Sequence, residues 1–357
     1  MQRQGNGLDF TGQQVYVGID VGKKSWDVSI MTKEFEHKTY KQPPEAGVLA
    51  RYLRRNFPGA EYKSVYEAGF SGYGAHEELK ANGIESMVVN PGDVPTRASE
   101  KARKTNKMDA RKLARSLKNG ELHGIYIPSR EAQEDRSLVR MRQSLVRKQT
   151  RVKNQIKSFL VFYGVKLSDD IGEKYWSKRF IIWIEGLASK EGSGSYSLRV
   201  LLEELKNLRK MILEVTGKIK ALSEVNRYRE DVINIVSVPG FSTISAMMIM
   251  TEIIDISRFK KLDNFRSYFG IAPGEDSTGD EQTITGLTQI RNKVLRTVVI
   301  EAAWVAVRKD PALMMAFAKL SKRMKKNEAI IRIAKKMVNR LWYVLKNKKP
   351  YQIGVVE

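Results

Sequence analysis

Val15, Val17 and Ile19 alternate with Tyr16 and Gly18, and Trp26, Val28 and Ile30 alternate again a few residues later, beyond Gly22. This period of two marks half-buried strands, and the short glycine-containing connection joins them into a hairpin. The rest of the chain is organised around this stretch. Asp20 falls where the first strand emerges, which places a carboxylate at a rigid edge of a sheet. A carboxylate there suits a hard, oxygen-seeking cation such as magnesium. Read alone, an Asp-x-Gly is more often a turn that the Asp caps before the glycine, and other residues have to outweigh that reading.

From about residue 13 to about residue 128 the pattern is α/β. Ser64–Glu67 reads as a strand with Glu67 at its end. A helical segment follows through Glu77, Leu79 and Ala81, and Ser86–Asn90 is a further apolar strand closed by Pro91 and Gly92. Strands alternating with helices favour a sheet flanked by helices, and side chains at strand ends of such sheets converge on a ligand crevice. Next, Arg97 to Lys118 is dense in Lys and Arg, with only Glu100 and Asp109 as acids. Ala110, Leu113, Ala114 and Leu117 give the region after Asp109 a helical apolar face. Asn106, three residues earlier, shares a face with Asp109 if the helix reaches that far. On its own, Asp109 is a salt-bridge partner for the surrounding lysines.

Charge narrows the range of partners. Lys and Arg total 63 against 40 acids in 357 residues, a net charge of +23, far beyond what solubility needs. A polyanionic partner is the natural inference. With no cysteine and only His37, His76 and His123 as imidazoles, disulfides and thiolate sites are excluded and zinc chemistry is disfavoured. The apolar runs are too short or too interrupted to span a bilayer. The first dozen residues lack a signal-peptide core and read as a flexible tail, so a cytoplasmic protein is expected.

Between about residues 129 and 226 long helices take over. Arg136 to Lys157 carries no acid. Leu138, Met141, Leu145, Val152, Ile156 and Phe159 form its stripe, and the opposite face is cationic, suited to phosphates through Arg140, Arg147, Lys148 and Arg151. Leu198, Leu201, Leu205, Leu208, Ile212, Val215, Ile219 and Leu222 repeat at spacings of three and four, a heptad signal that suits a core within one subunit or a coiled coil between subunits. The segment around Gly192 and Gly194 reads as a flexible connection. A compact, mainly helical domain runs from about 227 to 357. Pro239-Gly240 precedes a helix there, an arrangement able to present N–H groups to a phosphate. The basic tail, Lys319 to Lys349, reads as a helix packed through Ile330, Ala334, Met337, Leu341 and Leu345; Trp342 and Tyr343 could stack on bases, with core or rim packing the better reading for both.

Asp20 in VGIDVGKKSWDVSI, Glu67 in VYEAGF and Asp109 in KTNKMDARKLA resemble the acidic motif of DEDD-type insertion-sequence transposases related to the Piv DNA invertases. Asn106 stands where that motif has its third acid. Ser277 and Gly279 match a Ser-x-Gly loop of the same family, and Arg296 in NKVLR matches the arginine that follows. Gln289 and Arg291 depart from the usual Lys and Gly. The resemblance runs from Val15 to Tyr351. It implies a RuvC-like, RNase H-like N-terminal domain (13–128), a helical coiled-coil middle (129–226) and a mainly α-helical C-terminal transposase domain (227–357).

It further implies magnesium at Asp20, Glu67, Asp109 and Asn106, and a serine–DNA covalent intermediate at Ser277, with Thr278 as a second hydroxyl. Implied partners are donor and target DNA, a structured noncoding bridge RNA, and a homo-oligomer, dimer or tetramer. Arg97, Lys101, Arg103, Lys104, Lys107, Arg291 and Arg296 join the helix cations as nucleic-acid contacts. Two rivals remain at this level: a metal-dependent junction nuclease working through the acids alone, and a non-catalytic nucleic-acid scaffold, suggested by Asn106.

Overall fold

The computed structural model describes residues 9–96, 105–166, 176–271, 273–278, 281–287 and 292–354, the strands between 273 and 287 as backbone only. Arg97, Lys101, Arg103, Lys104, Gly279, Gln289 and Arg291 lie outside the described residues. The chain divides into two compact units, Met1–Ile127 and Pro128–Glu357.

The first unit is built on a five-stranded mixed sheet. Its strands are β1 (Gln14–Val21), β2 (Trp26–Met31), β3 (Glu36–Gln42), β4 (Glu61–Glu67) and β5 (Glu85–Val89), in the order β3-β2-β1-β4-β5. The hairpin read from alternation is present as the antiparallel β1–β2 pair, with Asp20 opposite Asp27. β4 and β5 run parallel to β1 and to each other. Parallel partners need crossovers, and α1 (Ala46–Asn56) and α2 (Gly74–Ala81) supply them. Val15, Val17, Ile19, Val28 and Ile30 are fully buried with Leu49 and Leu53 of α1 and Leu79 of α2, which is why the alternation is so strict.

Tyr16, Gly18 and Asp20 point the other way, towards α3 (Asn106–Lys118). Thr105 caps that helix, its hydroxyl accepting from Met108 N at 3.3 Å. Val65, Val89 and Val94 pack against Leu113 and Leu122 on this side. A Cβ on Gly18 would lie 2.0 Å from the Ala110 carbonyl oxygen and 2.4 Å from the Ala114 nitrogen, so glycine lets helix and strand backbones touch. The N-terminal segment is anchored closer to the start than a twelve-residue tail allows. Phe10 packs edge-on against Phe57 at 5.1 Å, and its N–H donates to the Pro58 carbonyl at 2.9 Å.

Among its described residues the second unit is mainly helical, with one two-stranded hairpin. Its helices are α4 (Arg130–Phe162), α5 (Lys178–Ala188), α6 (Ser193–Ser223), α7 (Asn226–Val236), α8 (Thr243–Ile253), α9 (Leu262–Phe269), α10 (Lys293–Ala306), α11 (Pro311–Ser321) and α12 (Lys326–Asn347). The heptad stripe of α6 has its partners within the chain. Leu198, Leu202, Leu205 and Leu208 are buried with Leu145, Val152 and Ile156 of α4 and Phe180 and Ile184 of α5. The connection around Gly192 is shorter than its composition suggests, because Gly194 already belongs to α6. The basic tail takes in the end of α11 and all of α12, and Ile330, Ala334, Met337, Leu341 and Leu345 of α12 are buried in the core, as the spacing predicts.

Gly240 has a packing role. Its φ is +103°, and a Cβ there would sit 2.3 Å from the Ala302 carbonyl oxygen of α10. Ser277 lies on a strand, not in a loop. β6 (Pro273–Thr278) pairs antiparallel with β7 (Glu281–Leu287), with Ser277 opposite Gln282 and Thr278 opposite Glu281. The Thr-Ile-Thr of β7 suits a strand, and only Gly279 and Asp280 separate the two strands, a hairpin signature.

Candidate active site

Three elements distant in sequence bring Asp20, Glu67 and Asp109 to one pocket of about 160 Å³, lined also by Gly69, Phe70, Ser71 and Leu113. β1 and β4 are parallel, so Asp20 and Glu67 sit near corresponding ends of neighbouring strands. α3 lies over the same face and adds Asp109 from its first turn. Gly18 permits the close approach of that helix. Tyr66, fully buried, ties the chain after Glu67 by donating to the Gly72 carbonyl at 3.0 Å.

The helix starts at Asn106, as the shared-face expectation requires. Asn106 is nevertheless exposed and does not line the pocket. Lys112 takes a place that sequence reasoning assigned to no residue. Its ammonium lies 3.4 Å from Glu67 Oε1 and 3.3 Å from Asp109 Oδ1, and its side chain is 9% exposed. The signal available was an Asp-x-x-Lys spacing, which puts both side chains on one helix face. Asp27, opposite Asp20 and buried, has Lys41 at 3.9 Å as its counter-charge.

Among the described residues no group of three or more acidic, His or Cys side chains is arranged to hold a metal ion. The donor type is the one a hard divalent cation prefers. All three donors are hard oxygens in one pocket, and the Lys112 ammonium between two of them is a stand-in for the positive charge such a set attracts.

In the second unit, residues on either side of the β6–β7 hairpin, Gly270 and Asn292, are tied to the helices. Arg296 donates to the carbonyl of Gly270, which closes α9 in the left-handed conformation (φ 67°) just before β6. After β7, Asn292 caps α10 and donates to Glu252 Oε2 at 2.8 Å. Glu252, 3% exposed, also takes a two-pronged contact from Arg140, at 2.8 and 3.0 Å. Its backbone carbonyl accepts from Tyr268 at 2.9 Å. Sequence reasoning missed Glu252, although an acid inside the apolar run of α8 is itself the signal of a buried charge with partners.

These contacts also revise the cationic face of α4. Arg136 donates to the Thr251 carbonyl, Arg140 to Glu252 and Arg142 to Thr216 Oγ1, each at 2.8 Å. A guanidinium fork finds carbonyl and carboxylate partners readily, so this part of the helix binds protein. Arg147, Lys148 and Arg151 further along are exposed, as is Lys107 at the start of α3. Trp342 packs against Phe265 at 5.4 Å, whereas Tyr343 is exposed.

The first unit thus carries an acidic pocket on a mixed α/β sheet, and the chain as a whole is strongly basic, features suited to an enzyme that acts on DNA. Comparison with known proteins agrees. A family profile described as "Transposase IS116/IS110/IS902 family" matches residues 234–319, and a profile for the DEDD transposases of IS110 type matches residues 17–165. Together they span more than half of the sequence. The chain is 27% identical to a putative transposase of Sinorhizobium fredii over 82% of its own length and 72% of the relative's. It is 29% identical to the transposase for insertion sequence element IS1533 of Leptospira borgpetersenii, over 71% and 73%. The transposase for IS1111A of Coxiella burnetii is 24% identical over 76% and 74%. The chain belongs to the IS110/IS116 family of DEDD transposases. No helix among the described residues is long and apolar enough to cross a membrane.

Proposed function

We propose that this transposase moves its own insertion sequence by cutting and rejoining DNA through a covalent serine–DNA intermediate, with Asp20, Glu67 and Asp109 as the acidic centre and Ser277 as the nucleophile. The observation that carries the reading is the convergence of three carboxylates from β1, β4 and α3 on one pocket. Three acids on separate elements, brought to one pocket, repel one another, an arrangement that marks a functional site.

Ser277 Oγ attacks the phosphorus and gives up its proton, and the displaced deoxyribose oxygen leaves with a proton. One phosphate ester replaces another, so the reverse reaction on a new strand rejoins DNA without an external energy source. The three carboxylates would hold a divalent cation, magnesium in this reading, which when bound polarises phosphoryl oxygens. Arg147, Lys148, Arg151 and Lys107 supply phosphate contacts, which strengthen binding in a salt-dependent way. Their exposure and the +23 charge support donor DNA, target DNA and a structured bridge RNA as partners; the working assembly in this reading is a cytoplasmic homo-oligomer, dimer or tetramer.

The test is trapping on DNA carrying the element's ends, with RNA co-expressed. The wild-type chain should form an adduct that resists denaturant. Ser277→Ala should abolish it, Thr278→Ala should retain it, and Asp20→Asn should abolish cutting. A Ser277→Ala protein that still cuts and rejoins establishes the acids-only nuclease instead.

A further inference from the structure

The C-terminal half of α4 carries an arrangement that the acidic centre does not use. Arg147, Arg151, Asn154, Ser158 and Phe162 recur at spacings of three and four, so one helix face passes from cation through amide and hydroxyl to aromatic over about 22 Å. All five are exposed. Along this face α4 and α6 border an open groove of about 870 Å³, to which α6 brings Ser197 and Leu201. No acid among the described residues lines it.

The aromatic end of the groove is rigid. Gly164, at φ +62°, donates its N–H to the Val161 carbonyl at 3.0 Å, and Val165 donates to the Leu160 carbonyl at 2.9 Å, so α4 closes in a hydrogen-bonded left-handed turn. Phe159 packs against the helical core. The Tyr163 ring rests on it at 4.6 Å between centroids, and Phe162 meets Tyr163 edge-on at 5.1 Å. Braced in this way, Phe162 is still 82% exposed and Tyr163 58%. Rings already held in place lose little freedom when a flat partner covers them.

The occupant has to bring a planar apolar face to the rings, hydrogen-bonding edges to the amides and hydroxyls, and negative charge to the guanidiniums. A second copy docked symmetrically sets Arg147 and Arg151 against their own kind. A nucleic-acid duplex keeps its base faces inside its own stack. An unpaired strand offers all three features at once.

We propose that the groove between α4 and α6 holds unpaired nucleotides, their bases stacked on Phe162 and Tyr163 and the phosphates of the same strand on Arg151 and Arg147. The inference rests on the reading of the α4 cations as phosphate contacts and extends that reading from phosphates to bases.

The experiment uses the full chain in chelator with short labelled strands, as DNA and as RNA, their duplexes, and strands carrying abasic sites. Binding is followed by fluorescence anisotropy across a salt series. Phe162→Ala and Tyr163→Ala should each weaken binding of single strands about tenfold, with the salt slope unchanged and with no effect on abasic strands or duplexes. Phe162→Trp should retain the affinity. Arg151→Ala should flatten the slope of log affinity against log salt by about 0.7, with bases or without. Iodouracil-bearing strands should cross-link on irradiation to Phe162 or Tyr163, and the arm that does so, DNA, RNA or both, names the strand. Cross-links found only elsewhere, or a loss equal on abasic strands, overturn the inference alone. So does a Phe162→Ala protein that loses subunits but not strand affinity, which assigns the groove to a second copy. An unchanged salt slope in Arg151→Ala, together with unchanged affinity in both aromatic variants, overturns the phosphate reading and this inference with it.

Discussion

Gly18→Ala should disable the acidic pocket without altering a single charged residue. The added Cβ would stand 2.0 Å from the Ala110 carbonyl oxygen and 2.4 Å from the Ala114 nitrogen, roughly 1.5 Å inside an ordinary contact of about 3.5 Å. Both obstacles are helix backbone, so no rotamer change relieves the clash and α3 has to withdraw by on the order of 1 Å. Forced overpacking costs about 1–3 kcal/mol, and two backbone clashes at one atom put this case near about 3 kcal/mol. For a unit of this size that lowers the melting temperature by roughly 10 °C or more.

The helix that withdraws carries Asp109, the residue before Ala110, together with Lys112. A displacement of about 1 Å in a reacting group costs about 100-fold in rate. The assays are thermal melting of the full chain and cleavage of element-end DNA at a temperature where the variant is still folded. Gly74→Ala is the control and should behave as wild type, because nothing lies within 4 Å of the place its new Cβ would take. A Gly18→Ala protein that melts with the wild type and cuts at its rate would refute the claim that α3 is seated on this glycine.

Other outcomes follow from groups already described. Asp310, fully buried, caps α11, pairs with Arg340 at 2.8 Å and accepts from Tyr351 at 3.0 Å, so Asp310→Ala should cost about 3–5 kcal/mol in denaturant unfolding. Glu252→Ala should cost about 2–3 kcal/mol by the same measure, since it strips partners from Arg140 and Asn292, and it should reduce adduct formation at Ser277 more than DNA binding. Burial, with Lys80 adding to it, lowers the His76 imidazole below its usual 6.5. The folded ring thus stays neutral where the unfolded one takes a proton. That contribution is complete above about pH 6.5 and is lost as pH falls towards the folded value. Melting temperature should decline between pH 7 and 5.5, and His76→Gln should flatten part of the decline.

What the sequence revealed and what it hid both have physical reasons. The β1–β2 pair is readable because one face is wholly apolar and the other is not. β3, with Glu36, Lys38 and Lys41 along it, escapes the same reading because an edge strand is kept polar. Asp20, Glu67 and Asp109 could be singled out by motif, whereas Lys112 could not, because its burial depends on what α3 is laid against. The serine hairpin hid for a related reason: Gly279-Asp280 signals a turn, but strands flanking it are rich in Asp, Glu, Ser and Thr and carry no apolar stripe. Arg136 and Arg140 look like any other cation on α4 until Thr251 and Glu252, more than a hundred residues later, are brought beside them.

The parallel pairing of β1 with β4 and the late position of α3 have a consequence for biosynthesis. A ribosome must release the chain beyond residue 118 before the last carboxylate of the pocket can dock, because loops of this length close only after the intervening elements exist. A truncated or stalled product ending before α3 carries Asp20 and Glu67 without their third partner or their lysine. On the proposed reading, a product of abortive translation therefore lacks a complete acidic centre.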